Sequence, residues 1–556
     1  MKKKISVLLF CLIACCNGQD IFAQTFRERV GPRFNTSDDP ANGIYVSPIG
    51  NDATANGSVG APYKSINAAL AAAQPGATII LRGDTYREGR EVRVNKSNIT
   101  IKSAKGEWAI IDLTTFNPGK DEDSGVVFYA EDEITRGVVT GCKLQNVEVK
   151  GGFYAVCFDS KWDWGQAERG GASNIIIEDC ILHHSRYDLI KIKPGCDNIT
   201  IRHNELHNSG QAFVGHPDTP SGQNNSEGID NVNGDNMVVL NNYIHDICSN
   251  GIYAKGGAID ARIKNNVIER TYGAGIAVGF DTSPEYFDLT VNPRYYENIR
   301  GIVCNNLIMD TGWEGIGLYA SKDAQVFNNT LINVANLGLF ARSAIYFGIV
   351  MQDYESHNGR PANVNPNIHH NLIYQPNVNN SPMINIRFHD NDELGKLSGL
   401  DGKPTMNNNG YYSAGKSATF SDNRPGSILE NAGLAAWKAH IEGDEGSIEV
   451  MPSFNGDYMP SNAQCAGMGI QPDLIDDTTG TIAPALLTET AVSVSAGVLS
   501  INNSLTEAIQ GYSISGTLLF NFQKQPGNTS YFINQPKGAT IIVRGGSGWA
   551  KKVVMQ

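Results

Sequence analysis

An all-β fold, a right-handed parallel β-helix, is what three features of this 556-residue chain predict. The first is a recurring phrase: Ile-Arg-His-Asn at 201–204, Val-Leu-Asn-Asn at 239–242, Ile-Lys-Asn-Asn at 263–266, Val-Cys-Asn-Asn at 303–306, Val-Phe-Asn-Asn at 326–329 and Ile-His-His-Asn at 368–371. The second is spacing. The last Asn of each phrase follows the one before by 38, 24, 40, 23 and 42 residues, so the short intervals share a period and the long ones carry inserts of roughly 15 to 18 residues. The third is alternation within each phrase, which sends every second side chain into a stack of strands. One such coil cannot bury its apolar face alone, whereas stacked coils share a continuous core, and an Asn recurring at one turn can bond the next coil's backbone.

The elements follow in chain order. Met-Lys-Lys-Lys, an apolar run from Ile5 to Cys16 and a polar stretch to Ala23 have the three regions of a secretory signal, assigned to residues 1–24. Residues 44–87 read strand, short Ala-rich helix, strand; the helix caps the open end of the stack and protects its first edge. Regular coils run to about residue 385, and residues 408–457, with a helix near 427–441, form the far cap of a β-helix domain spanning 25–471. A linker rich in Asp, Thr and Pro at 472–484 leads to a last module, 485–556, expected to be a small β-sandwich.

Composition narrows the function. A net charge of −13 disfavours nucleic acid, and a polyanionic partner must be held by local cations or a metal. Outside the leader, seven cysteines at 142, 157, 180, 196, 248, 304 and 465 have no C-x-x-C pairing and are expected to be buried free thiols. No run beyond the leader is long enough to span a bilayer, so any membrane tie is a lipid or a partner. The chain is expected to be a secreted or surface-held monomer.

Aligning the coils on glycine and the first inward isoleucine stacks Ile190, Ile229, Ile252, Ile276 and Ile316. The intervening residues then face outward in three columns: Asp188, Glu227, Asn250; Lys191, Asp230, Tyr253, Ala277, Gly317; and Lys193, Val232, Lys255, Gly279, Tyr319. Rungs lie about 4.8 Å apart, so Asp188, Glu227 and Asp230 can share a hard cation such as Ca2+, with Asp235 just past the next turn able to join. Lys191, Lys193 and Lys255 line one wall of a groove. Its rims would be the inserts at 211–225, 281–298 and 342–362. Trp162 and Trp164 in a further insert could stack on sugar rings, and His216 could reach the groove from 211–225.

Several segments resemble known groups. Leu12-Ile-Ala-Cys15 is similar to a lipoprotein signal box, in which Cys15 would carry the lipid; cleavage near Ala23 or Gln24 is the alternative. Residues 44–87 resemble the start of secreted bacterial β-helix proteins, and the tail resembles the sandwich domains that carry type IX sorting signals in Bacteroidetes. Asn225-Ser-Glu-Gly-Ile-Asp230, followed one coil later by Ser249-Asn-Gly-Ile-Tyr-Ala-Lys-Gly-Gly257, resembles the calcium coil and lysine coil of polysaccharide lyases related to family 9, with Glu where that family has Asp. The resemblance implies Lys255 as the base, and Glu227 and Asp230 as metal ligands.

The implied chemistry is β-elimination from a uronate, which requires a base for the C5 proton, neutralisation of the carboxylate and a proton for the leaving oxygen. A free lysine titrates near 10.4, so it acts as a base only where surroundings lower that value. Neighbouring lysines and a divalent cation do so. Tyr253 or water would supply the leaving-group proton, with Lys193 the next candidate base, and Arg186, Lys191 or Lys193 would hold a second acidic group. The expectation is a lyase acting on an acidic polysaccharide, pectic or glycosaminoglycan. A β-helical hydrolase, an epimerase and a non-catalytic glycan-binding solenoid are the alternatives.

Overall fold

The computed structural model describes residues 30–114, 124–129, 138–161, 170–211, 220–222, 225–338, 342–351 and 360–471, and seven strands between 491 and 554. Three twelve-stranded sheets run the length of the solenoid: sheet A from Ile44–Val46 to Thr405–Asn407, sheet B from Val92–Val94 to Leu429–Ala432, and sheet C from Thr85–Tyr86 to Ile448–Glu449. Each coil passes A, C, B and returns to A one rung further on, as in Ile176–Glu178, Ile181–His183, Ile190–Ile192 and then Thr200–Arg202. The pairing is parallel except for the final sheet B strand. Alternation explains the core: Ile190, Ile229, Ile252, Ile276 and Ile316 stack in register at full burial, each worth roughly 1.5–3 kcal/mol relative to exposure.

The Asn pair that ends each repeat divides two tasks at the A–C turn. The first residue of the pair takes the left-handed conformation that lets sheet A bend into sheet C, with φ of 56° at Asn241, 57° at Asn265 and 56° at Asn305. The second points inward and forms a ladder. Asn204 donates from its backbone N–H and its amide to Oδ1 of Asn242, Asn242 does the same to Asn266, and the pattern repeats through Asn306, Asn329, Asn371 and Asn409. His203 and His370 occupy left-handed turn positions in the same series. The chain ends of the domain lie along this turn: Gly31 N–H donates to Asn241 O, and Gln471 N–H to Asn305 Oδ1.

The helix Ile66–Ala72, capped by Ser65, covers the first rung, and Leu434–Ile441 covers the last, a shorter far-cap helix than 427–441. All seven cysteines are buried free thiols. Residues 472–490 lie outside the described residues, and the seven described strands between 491 and 554 form antiparallel sheets of three and four strands. No described helix is long and apolar enough to cross a membrane.

Candidate functional site

The outer wall of sheet B carries one continuous column. Strand register places Arg93, Val127, Cys157, Lys191, Asp230, Tyr253, Ala277, Gly317, Tyr346, Asn385 and Ser421 side by side on successive rungs. The middle of this column is acidic and buried. Asp188 and Glu227 stand at the end of the C–B corner, just before their strands, with Glu227 N–H donating to Asp188 Oδ1 at 2.9 Å. One carboxylate oxygen from each of Asp188, Glu227 and Asp230 lies within 4.8 Å of the other two. Glu227 Oε2 and Asp230 Oδ1 have no hydrogen-bond partner although both are buried. Asn250 Nδ2 donates to Glu227 Oε1 at 3.3 Å.

Two lysines face this trio. Lys191 Nζ bonds Asp230 Oδ2 and lies 3.5 Å from Asp188 Oδ2; Lys255 Nζ lies 3.7 Å from Asp230 Oδ1. Ala254 is in the core, so the alternation turns Lys255 outward onto the wall that holds Asp188 and Glu227. Burial opposes charge on Lys191, yet the Asp230 and Asp188 carboxylates hold its ammonium well above the usual lysine range. Burial pushes the Asp188 carboxyl well above its usual range, with Glu227 and Asp230 adding to the shift and Lys191 opposing it. Burial also acts to raise Asp230, but Lys191 and Lys255 hold it below its ordinary value.

Three expectations need correction. Asp235 does not join the trio: it sits past the far end of its strand, at the B–A corner, where Oδ1 accepts from Ile259 N–H at 2.8 Å. Tyr253 is 2 % exposed, stacked on Phe280 with ring centroids 5.0 Å apart, and its hydroxyl accepts from Asn250. Its ring instead carries Lys255, whose Nζ lies 4.4 Å from the centroid. Lys193 is two rungs from Lys255 and pairs with Asp159 at 2.8 Å, which places it with Arg93 and Tyr154 around a depression of about 380 Å³ on the N-ward rungs. Arg186 lies over the rings of Phe153 and Tyr187 beside it. Trp162, Trp164, His216 and Cys15 lie outside the described residues.

Other side chains at the site lie off the aligned columns. Asp281 opens the 281–298 insert; burial raises its carboxyl, with the charge of Lys255 opposing. Arg360, fully buried, pairs with Glu297 at 3.1 Å and stacks on Phe287 and Tyr295, locking that insert against the coil; burial pushes Glu297 up to about 7, with Arg360 opposing. On the C-ward rungs, Arg342 pairs with Glu314 at 3.0 Å and borders a second depression of about 250 Å³ with Asn385 and Ser421. The insert boundaries in the sequence flag Asp281 and Arg342, which open the 281–298 and 342–362 inserts, but nothing local flags Arg360.

A family model for the right handed beta helix region matches residues 124–292. With the parallel sheets described above, this makes the chain a right-handed parallel β-helix. A 74-residue stretch is 40% identical with pectate lyase PEL9 of Emericella nidulans, which takes in 12% of this chain and 18% of that protein's length. Among solved structures, pectate lyase Pel9A is similar at 16% identity over 61% of this chain and 77% of its own, with a TM-score of 0.38. The surface adhesin PfbA of Streptococcus pneumoniae is similar at 11% identity over 71% and 89%, with a TM-score of 0.41.

Proposed function

We propose that this chain is a secreted or surface-held polysaccharide lyase that cleaves a uronic-acid-containing polymer, pectic or glycosaminoglycan, by β-elimination. The observation that carries the reading is Lys255 Nζ standing outward, 3.7 Å from the buried Asp230, on a wall where three carboxylates converge. The local likeness to a pectate lyase supports it and makes polygalacturonate the first substrate to test. Lys255 takes the C5 proton; the electron pair left behind forms the C4–C5 double bond, and the C4–O bond breaks with its pair to the leaving oxygen, which takes a proton from water. Lys193, Arg93 and Arg186, on the N-ward rungs, hold acidic groups of neighbouring sugars. Tyr253 supports the Lys255 stem from below.

The trio fits a hard divalent ion: three carboxylates converge, and two buried oxygens lack hydrogen-bond donors. Asp188, Glu227 and Asp230 would hold calcium, with Lys191 giving up its place between Asp188 and Asp230. When bound, the ion supplies positive charge that neutralises the uronate carboxylate and offsets the field of Asp230 on Lys255. The test is incubation with polygalacturonate, alginate and glycosaminoglycans, with calcium and with chelator, followed by ultraviolet absorbance of the unsaturated product. Calcium-dependent absorbance supports the reading. Reducing ends without absorbance indicate a hydrolase, and glycan binding with neither indicates a non-catalytic binder.

A further inference from the structure

A second cluster stands on the outer face of sheet C, at the start of the same C–B corner that ends in Asp188. His183 and His207 close their strands on adjacent rungs, with rings stacked 4.7 Å apart at 15°. His184, left-handed at φ 55°, turns its ring back so that it stands at 81° to His183 and 85° to His207. One ring nitrogen from each of the three lies within 4.8 Å of the others. Two independent features mark this as more than a stacked ladder. Nδ1 of His183 and Nδ1 of His184 lie 2.6 Å apart, one donating to the other as the tautomers dictate, so each ring already turns a nitrogen toward the same point. The outer nitrogen of His183, Nε2, is held by Glu148 Oε1 at 3.0 Å, and Trp108 Nε1 donates to the other oxygen of that carboxylate. A carboxylate on the far nitrogen of an imidazole orients the near nitrogen as a ligand.

We propose that His183, His184 and His207 form a binding site for a borderline divalent cation of the zinc type, separate from the carboxylate trio on sheet B. Three imidazoles and an open position suit Zn2+ and its neighbours rather than calcium, which takes oxygen ligands. His184 and His207 are only partly buried, and Nδ1 of His207 is held by Asn208 Oδ1 at 2.6 Å, which leaves its Nε2 as the ligand nitrogen. Lys150, opposite His183 in register, is the cation that opposes binding; Glu148, and Glu205 one rung on, are the carboxylates that favour it. The chain contains its own contrast. His369 and His370 form the same kind of pair at 2.9 Å, but the ring stacked on His369 is Phe327, so no third nitrogen is supplied. The bound ion would tie two rungs together where the corner toward Arg186 and Asp188 departs, independently of whether the sheet B wall is catalytic.

The test is calorimetric titration of chelator-treated full-length protein with Zn2+, alongside thermal melts. Wild type is expected to bind one ion at this site and to melt higher with Zn2+ than without. His184→Asn, which keeps a residue tolerant of the left-handed backbone, and His207→Gln are expected to lose that ion, and Glu148→Gln to bind it about 10–100-fold more weakly. His369→Gln and Glu227→Gln are expected to retain it. Paramagnetic resonance of Cu2+ on the wild type reads the ligands directly, without relying on variants that fold, and nitrogen coupling is the expected signal. A Cu2+ signal without nitrogen coupling, or a Zn2+ stoichiometry unaltered by His184→Asn and His207→Gln, overturns the proposal.

Discussion

The Asn ladder at the A–C turn and the acidic wall of sheet B are built from the same rungs, yet they treat buried polar groups in opposite ways. In the ladder, each Asn passes its amide and backbone N–H to the next, and Asn266 also donates to Val239 O and Lys264 O. On the wall, Asp188, Glu227 and Asp230 crowd like charges together and leave Glu227 Oε2 and Asp230 Oδ1 without donors. A satisfied ladder stabilises; a crowded carboxylate set is held in place by the rest of the fold and is suited to a cation. The rung spacing serves both, and chemistry decides which.

The sharpest way to break this contrast is Lys255→Ala. Loss of the proposed base is expected to lower product formation by roughly 10²–10⁴-fold with the melting curve almost unchanged, read by product absorbance and circular dichroism. A variant retaining full rate would move the base elsewhere on the wall. On the ladder side, Asn266→Ala removes the acceptor of the Asn242 N–H and amide, and should cost about 2–4 kcal/mol in denaturant unfolding while leaving the rate per folded molecule intact. Parallel loss of rate and stability there would mean the two regions are coupled.

Glu227→Gln sharpens the difference from the other side. Removing one of three crowded charges is expected to raise the melting temperature in chelator, while calorimetry shows calcium affinity falling at least roughly tenfold, or about 1.4 kcal/mol. A lower melting temperature in chelator would show that the crowding is not a strain. The smallest effect is one of pH at the B–A corner, where burial lifts Asp235 from 3.8 to about 6. Because the folded value is the higher one, this contribution is fully present below about 3.8 and is lost as pH rises through about 6, amounting to roughly 1–3 kcal/mol. Asp235→Asn keeps the acceptor for Ile259 N–H and should flatten that part of the stability–pH profile. An unchanged slope between those values would assign it to another carboxyl, such as Asp197, which burial also raises.

Much of this was legible in the residues. Strict period-two alternation and fixed rung height allow a stack to be aligned from the sequence, which is why the column Lys191, Asp230, Tyr253, Ala277, Gly317 appears in the strand register unaltered. The same logic set Lys255 outward beside Asp230 and put Asn204 to Asn371 at one recurring turn, where the structure shows them pointing inward. It failed for Asp235, because one turn beyond the strand carries the chain around a corner and onto another face.

What the amino-acid order determined by itself was therefore the one-dimensional part: which residues share a rung, which face the core, and which neighbour the next coil. Only the tertiary structure decided how the wall is covered and paired. Phe280, beyond the next strand, closes over Tyr253; Lys191 claims the trio while Lys193 turns to Asp159; and Arg360 ties one insert to the coil before it. The physical reason is range: rung-to-rung contacts repeat at a spacing the sequence displays, whereas corners and inserts of unequal length bring together residues with no periodic relation.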